Sequence, residues 1–224
     1  MKKIALIPAR AGSKRLKNKN LLEIRNNTTL IEHTILKVKR LNCFDEIWVN
    51  SDSEKIKKIA MRHKVNFFKR DKSLANDKAT SEDYISDFLK KVKTDYVFQI
   101  HSIAPLLTED EICKFVKYFE KVECSTLLSF SEDSMEHSID GIPINFSFDY
   151  KQNSQDIKPI ERINWAITGW NAKVFLKNRD QDRLATYSPP VQFFKISKTS
   201  GIVIKDNIDF HIARHLICNS EKFN

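Results

Sequence analysis

The chain has 224 residues, 41% hydrophobic and 30% charged, which is ordinary for a soluble globular protein with a sizeable core and at most a small appendage. Only 4 glycines and 6 prolines leave no room for a low-complexity linker, and no run approaches the roughly 20 apolar residues of a membrane span. Lysine and arginine total 38 against 29 aspartates and glutamates, a net charge of +9 that fits an anionic partner: nucleotide, acidic sugar or nucleic acid.

The first predicted element is a short buried strand, Ile4-Ala5-Leu6-Ile7, stopped by Pro8, which has no N–H to give a ladder. A small-residue loop follows (Ala9, Ala11, Gly12, Ser13), carrying Arg10, Lys14, Arg15, Lys17 and Lys19. Cations just past the carboxyl end of a strand are where an open α/β sheet takes anionic ligands, and Gly12 lets the backbone approach one closely. A solvated basic loop is the other reading. Neither GxxxxGK[ST] nor GxGxxG is present, so the loop says phosphate without saying which.

A helix is predicted over 29–39, with Thr29 and Glu32 spaced for a capping box. A strand over 44–50, a helix over 54–63 capped by Ser53 and a strand over 65–68 come next. The polar segment 69–81 leads to a helix over 82–92, a strand over 96–100, a helix over 109–122 and a strand over 125–130. This alternation argues for a parallel sheet with right-handed crossovers. It breaks over 131–163, where GIPINFSFDYKQ alternates like an exposed hairpin. Strands over 164–170, 192–196 and 201–204, a short helix over 171–176 and a closing helix over 207–218 complete the reading. Cys43, Cys113, Cys124 and Cys218 have no CxxC or zinc spacing and read as buried thiols of a cytoplasmic protein, and the apolar run of MKKIALIPAR is too short for a signal peptide.

IPARAGSKRLKNKN resembles the N-terminal signature of the acylneuraminate cytidylyltransferase family, IPAR-x-GSKR followed by KN. Asn50-Ser51-Asp52, the run from Arg70 through Leu74-Ala75-Asn76-Asp77 to Thr80-Ser81, and QDIKPIERINWAIT match further family segments, so the resemblance covers essentially the whole chain. It implies one domain, 1–224, an α/β fold with a three-layer α/β/α sandwich and a mostly parallel sheet of the nucleotide-diphospho-sugar transferase kind. The segment 131–163 would protrude and contact the second copy of a homodimer.

The chemistry the resemblance implies is transfer of CMP from CTP to an acidic, sialic-acid-like sugar with release of pyrophosphate, for surface polysaccharide. Arg10, Lys14 and Lys19 would carry catalysis by neutralising the triphosphate. Ala9, Gly12, Ser13, Asn20, Arg70, Asp77, Thr80 and Ser81 would bind the nucleotide, though Ser81 is equally placed to cap a helix and Arg70 to be a solvated charge. His101, Ser102, Gln155, Arg162 and Asn164 would meet the acceptor, with His101 either a general base or a hydrogen-bonding group in the pocket floor. No nucleic acid and no membrane is expected as partner.

Two departures stand out. The family's Q-P-T-S-P-L-R becomes His101-Ser102-Ile103-Ala104-Pro105-Leu106-Leu107, and Ser154 replaces an arginine, which weakens recognition of a sugar carboxylate. The D-I-D element that holds Mg²⁺ becomes Val203-Ile204-Lys205, leaving Asp206 and Asp209 as the nearest carboxylates for a metal and Lys205 as a substitute charge. The alternatives are therefore a family member that binds nucleotide or a partner without turnover, and a cytidylyltransferase for a non-sialic acceptor.

Overall fold

In the computed structural model, which describes residues 1–219, the apolar run at the start becomes the middle of a sheet. Strand β1 (Lys3–Pro8) has Ile4, Ala5, Leu6 and Ile7 all at 0% exposure. In chain order follow β2 (Glu23–Arg25), β3 (Thr28–Thr29), α1 (Leu30–Lys39), β4 (Glu46–Ser51), α2 (Glu54–Arg62), β5 (Asn66–Lys69), α3 (Ser81–Lys91), β6 (Tyr96–Ile100) and α4 (Glu109–Lys121). Beyond them lie β7 (Thr126–Asp133), β8 (Ser138–Ile139), β9 (Ile142–Pro143), β10 (Ile160–Asn171), α5 (Ala172–Asp180), β11 (Val191–Lys195) and α6 (Asn207–Cys218).

Seven strands form one sheet in the order β11-β7-β10-β6-β1-β4-β5, parallel throughout except for β10, which runs antiparallel to both neighbours. Alternation along β1 divides the core. Ala5 and Ile7 join Ile31, Ile35 and Val38 of α1 and Phe115, Val116 and Phe119 of α4 on one face. Ile4 and Leu6 join Ile85 and Phe88 of α3, Trp170 of β10 and Phe175 of α5 on the other. The three-layer α/β/α sandwich is thus the product of one strand's period-2 pattern meeting helices on both sides. A third cluster packs Phe210, Ala213 and Ile217 of α6 on Ile24 and Leu30.

The capping box of α1 forms as its spacing predicts: Thr29 Oγ1 accepts from the Glu32 amide at 3.4 Å and the Glu32 carboxylate accepts from the Thr29 amide at 3.3 Å. Three expectations change. The run 201–204 is not a strand: Ile204 donates one backbone bond, 2.8 Å to Ile103 O, and a Cβ on Gly201 would sit 2.7 Å from Ser131 Oγ and 2.9 Å from Asn164 Nδ2. That close crossing carries the chain from β11 towards α6 with no ladder to join. The excursion begins later and ends earlier than read, because β7 runs to Asp133 and β10 starts at Ile160. Within it only β8 and β9 pair, around Asp140 and Gly141, both at positive φ, and the rest of 141–152 is irregular. Finally, the cysteines are free but not fully buried; three are half-buried and Cys218 is exposed.

The loop after β6 is pinned by a buried cation. Lys37 Nζ donates 2.6 Å to Pro105 O and also to Leu107 O, and burial lowers its pKa from 10.5 to about 8. Between those two pH values the unfolded chain binds a proton that the folded chain does not, so this group's contribution to stability rises with pH. Urea unfolding of wild type minus that of Lys37→Met is therefore expected to shift in favour of wild type from pH 8 to 10.5. A flat difference would show that Lys37 is not buried as a cation.

Candidate functional site

Where β1 stops at Pro8, the basic loop is held to the neighbouring strand end. The Ala9 amide donates 3.0 Å to Asn50 O, and the Ala11 amide donates 2.9 Å to Asp52 Oδ1. Asn18, at φ 54°, then turns the chain into a short 3-10 turn, Lys19–Leu21. This geometry points the basic side chains over the carboxyl ends of β1, β5 and β6, where a cleft of about 470 Å³ opens. Arg10, Ser13, Lys14, Lys19 and Asn20 line it from the first loop, Arg70 and Asp77 from the second, and His101 from the end of β6. Of the residues lining the cleft, five are Lys or Arg, counting Arg15, and one is acidic, Asp77.

Asp77 occupies the cations. Its carboxylate accepts 2.9 Å from Arg10 Nη2 and 2.5 Å from Lys14 Nζ, while Arg10 Nη1 donates 2.9 Å to Asn76 O. Lys14 and Arg10 together hold the Asp77 carboxyl below its ordinary range. A ligand phosphate arriving here competes with that carboxylate. Asp77→Asn is expected to tighten pyrophosphate binding by about 2- to 5-fold, the worth of exposed ion pairs, in calorimetric titration. Weaker binding would instead give Asp77 a direct part in holding the ligand.

Arg70 is 4% exposed and forms no ion pair among the described residues, Asp52 being the carboxylate whose charge it feels. Its Nε donates 2.6 Å to Asn50 Oδ1, Nη2 donates 3.2 Å to Asn50 O, and its guanidinium lies 3.9 Å over the Tyr84 ring. Burial lowers its pKa. Lys19, half-buried, donates 2.6 Å to Ile204 O, and its pKa is lowered first by burial and then by Arg15, against the opposing pull of Asp209 and Asp206.

Other expected site residues are used by the fold. Asn20 Nδ2 donates 3.1 Å to Arg10 O and its Oδ1 accepts 2.7 Å from Ser102 Oγ, so these two side chains tie the basic loop to β6. Ala9 is buried beneath the loop, and a Cβ on Gly12 would meet nothing within 4 Å, so the fold does not demand that glycine. Thr80, not Ser81, caps α3, bonding the Asp83 carboxylate through its amide and hydroxyl at 2.8 Å each; neither lines the cleft. Gln155 is exposed on a single turn, Ser154–Asp156, away from the lining residues. Arg162 donates 3.5 Å to Ser131 Oγ. Asn164 sits in the β10 bulge between Ile163 and Thr168, accepting 2.8 Å from Ser129 Oγ, with its Nδ2 unpaired and outside the cleft.

Asp206 and Asp209 form a reciprocal cap on α6. Asp206 Oδ1 accepts from the Ile208 and Asp209 amides at 2.9 and 3.1 Å, and Asp209 Oδ2 accepts from the Lys205 and Asp206 amides at 2.7 and 3.3 Å. Among the described residues no group of three His, Cys, Asp or Glu could hold a metal. Neither aspartate lines the cleft, and Lys19 and Lys205 add positive charge nearby, so this donor set does not fit a protein-held Mg²⁺.

Tyr84 and Gln99 were not singled out by sequence, yet they join Arg70 to His101. Tyr84 Oη donates 2.9 Å to Gln99 Oε1, and the Gln99 amide nitrogen meets His101 Nε2. The signal was present: His101, just past the end of β6, is two residues from Gln99, the spacing of one strand face, and a glutamine inside Tyr96-Val97-Phe98-Gln99-Ile100 has to find partners.

A mostly parallel α/β sheet with a cation-lined cleft at its strand carboxyl ends defines a class of proteins built to receive anionic ligands at that edge. Within it the family is specific: the sequence profile described as cytidylyltransferase matches residues 4–156, and the chain belongs to that family. It is 29% identical over 227 residues to the N-acylneuraminate cytidylyltransferase of Streptococcus agalactiae serotype V, covering 96% of this chain and 54% of that protein, so the chain spans about half the length of this relative. It is 29% identical over 230 residues to the pseudaminic acid cytidylyltransferase of Campylobacter jejuni, covering 98% of this chain and 90% of the other. Its fold is similar to that of CMP:2-keto-3-deoxy-manno-octonic acid synthetase complexed with CTP, with a TM-score of 0.76 at 17% identity over 98% of this chain and 100% of that one.

Proposed function

We propose that this chain transfers CMP from CTP to an acidic sugar of the nonulosonate kind. The observation that carries the reading is the cleft in which Arg10, Lys14, Lys19 and Arg70 converge at the strand ends. A sugar hydroxyl oxygen attacks the α-phosphorus, the bond from that phosphorus to the bridging oxygen of the β-phosphate breaks, and pyrophosphate leaves as the hydroxyl proton passes to solvent water. The cations bind the triphosphate and neutralise the charge that builds on the leaving oxygens. Membership of the cytidylyltransferase family and the names of both relatives support this assignment.

The acceptor is where the chain departs. Ile103 lines the cleft, and Leu107 is buried in the apolar core, so the positions of a family threonine and arginine offer no polar contact. That favours, as a second reading, an acceptor other than N-acetylneuraminate. The capping duties of Asp206 and Asp209 are the observation behind a third, nucleotide binding without turnover. A homodimer is part of the proposal, supported by the exposed Ile139, Ile142, Phe148 and Tyr150 of the excursion, and light scattering tests it. No helix among the described residues is long and apolar enough to cross a membrane, and the free cysteines support a reducing cytoplasm.

The test is calorimetric titration with CTP in Mg²⁺ and in EDTA, with CDP, UTP and ATP as controls, followed by pyrophosphate release over a panel of acidic sugars. Selective CTP binding of equal strength in both buffers, with turnover of one sugar, is the expected result. CTP binding without turnover of any acid selects the third reading. No CTP binding in either buffer overturns the proposal.

A further inference from the structure

We propose that Tyr84 and Gln99 lock His101 as the neutral tautomer protonated on Nδ1, so that the imidazole offers the cleft a hydrogen-bond donor rather than a base. The inference follows the polarity of one buried chain. Among the described residues Tyr84 Oη makes a single hydrogen bond, 2.9 Å to Gln99 Oε1. A carbonyl oxygen only accepts, so the phenol donates, and the opposite end of the Gln99 amide is its NH₂. That NH₂ faces His101 Nε2. An NH₂ only donates, so Nε2 must present its lone pair and the ring proton must sit on Nδ1.

Turning the amide over would aim NH₂ at the Tyr84 oxygen and take from that hydroxyl the one acceptor it has among the described residues, on a side chain 9% exposed. An imidazolium would set N–H against NH₂. Enclosure of the ring, with Arg70 and Lys19 nearby, pushes its pKa down to about 4, in keeping with a neutral group. Nδ1 makes no hydrogen bond within the described residues, and the residue lines the same cleft as those two cations. An N–H in a cleft that also holds Lys19 and Arg70 suits an anionic oxygen, carboxylate or phosphate. Tyr84 and Gln99 are then positioning residues, and the base that removes the acceptor proton is not His101. The ligand half of this inference rests on the function proposed above, whereas the tautomer does not.

Long-range ¹H–¹⁵N correlation of ¹⁵N-histidine protein, free of ligand, reads the tautomer directly. The expected pattern is a pyrrole-type Nδ1 and a pyridine-type Nε2 for His101. The reverse pattern, or an even mixture, overturns the proposal whatever the enzyme turns over. Tyr84→Phe is expected to release the amide and admit the Nε2–H form, with Gln99→Leu as the second variant; a pure Nδ1–H tautomer in both would show that the chain does not set it. Titration with CTP, and separately with N-acetylneuraminate plus CDP, then shows which anion moves the Nδ1 resonance. For that anion His101→Ala is expected to weaken binding by about 10- to 100-fold, and His101→Gln, which keeps a donor, by less than about tenfold. Unmoved resonances with both, in protein that binds CTP by calorimetry, would remove the donor role without touching the cytidylyltransferase reading.

Discussion

Replacing Lys19 with methionine is expected to lower the turnover of CMP transfer by about 10²- to 10³-fold, the range for deleting one preorganised group that meets developing charge. Lys14→Met is expected to cost far less, about tenfold or under, although it removes the same charge from the same cleft. The difference is environment. Lys14 is 82% exposed and already paired with Asp77. Lys19 is half-buried, held by Ile204 O at 2.6 Å, and keeps its charge where water screens it less. Burial is the largest cause of its lowered pKa, so its ammonium gives up its proton at a lower pH than an exposed lysine would. Activity of wild type should accordingly begin to fall on the alkaline side before the ordinary lysine range, a limb that Lys19→Met lacks. Steady-state pyrophosphate release across pH measures both effects. Equal losses in the two variants would show that the cleft works by summed charge and not by the placement of Lys19.

The part of the molecule visible from sequence is the part governed by period and punctuation. Ile4–Ile7 ended by Pro8, the Thr29 and Glu32 cap, and the strand–helix alternation as far as α4 all form where their patterns put them, because each depends on neighbours within a few residues. Strand β10 is different. Its antiparallel course and the bulge at 163–168 depend on β6 and β7, 27 or more residues away, and nothing local announces them. The site shows the same division. The basic loop was legible because charge density does not require knowing a partner. Ser102, Thr80 and Asp206 were not, since a short polar side chain bonds a ligand or a backbone amide equally well, and here each has found protein.

Arg70→Leu is expected to weaken CTP binding by about 100-fold while leaving the ligand-free protein nearly as stable as wild type. A buried guanidinium without an ion pair among the described residues is costly, because burial strips its hydration, and two oxygens of Asn50, the face of Tyr84 and the more distant charge of Asp52 replace it only in part. Leucine removes that cost. It also leaves Asn50 Oδ1 without its donor, beside an Nδ2 that is already unpaired, and the two consequences oppose each other at about 1–3 kcal/mol apiece. The charge is therefore retained against stability, which is the mark of a group held ready for an anion. Arg70→Lys should not rescue binding, since an ammonium cannot keep the bond to Asn50, stack on Tyr84 and face the cleft at once. Calorimetry with CTP and thermal unfolding with and without pyrophosphate separate the two quantities. A variant that binds CTP as wild type does, but unfolds several kcal/mol more easily, would make Arg70 a pin between β4 and α3 and nothing more.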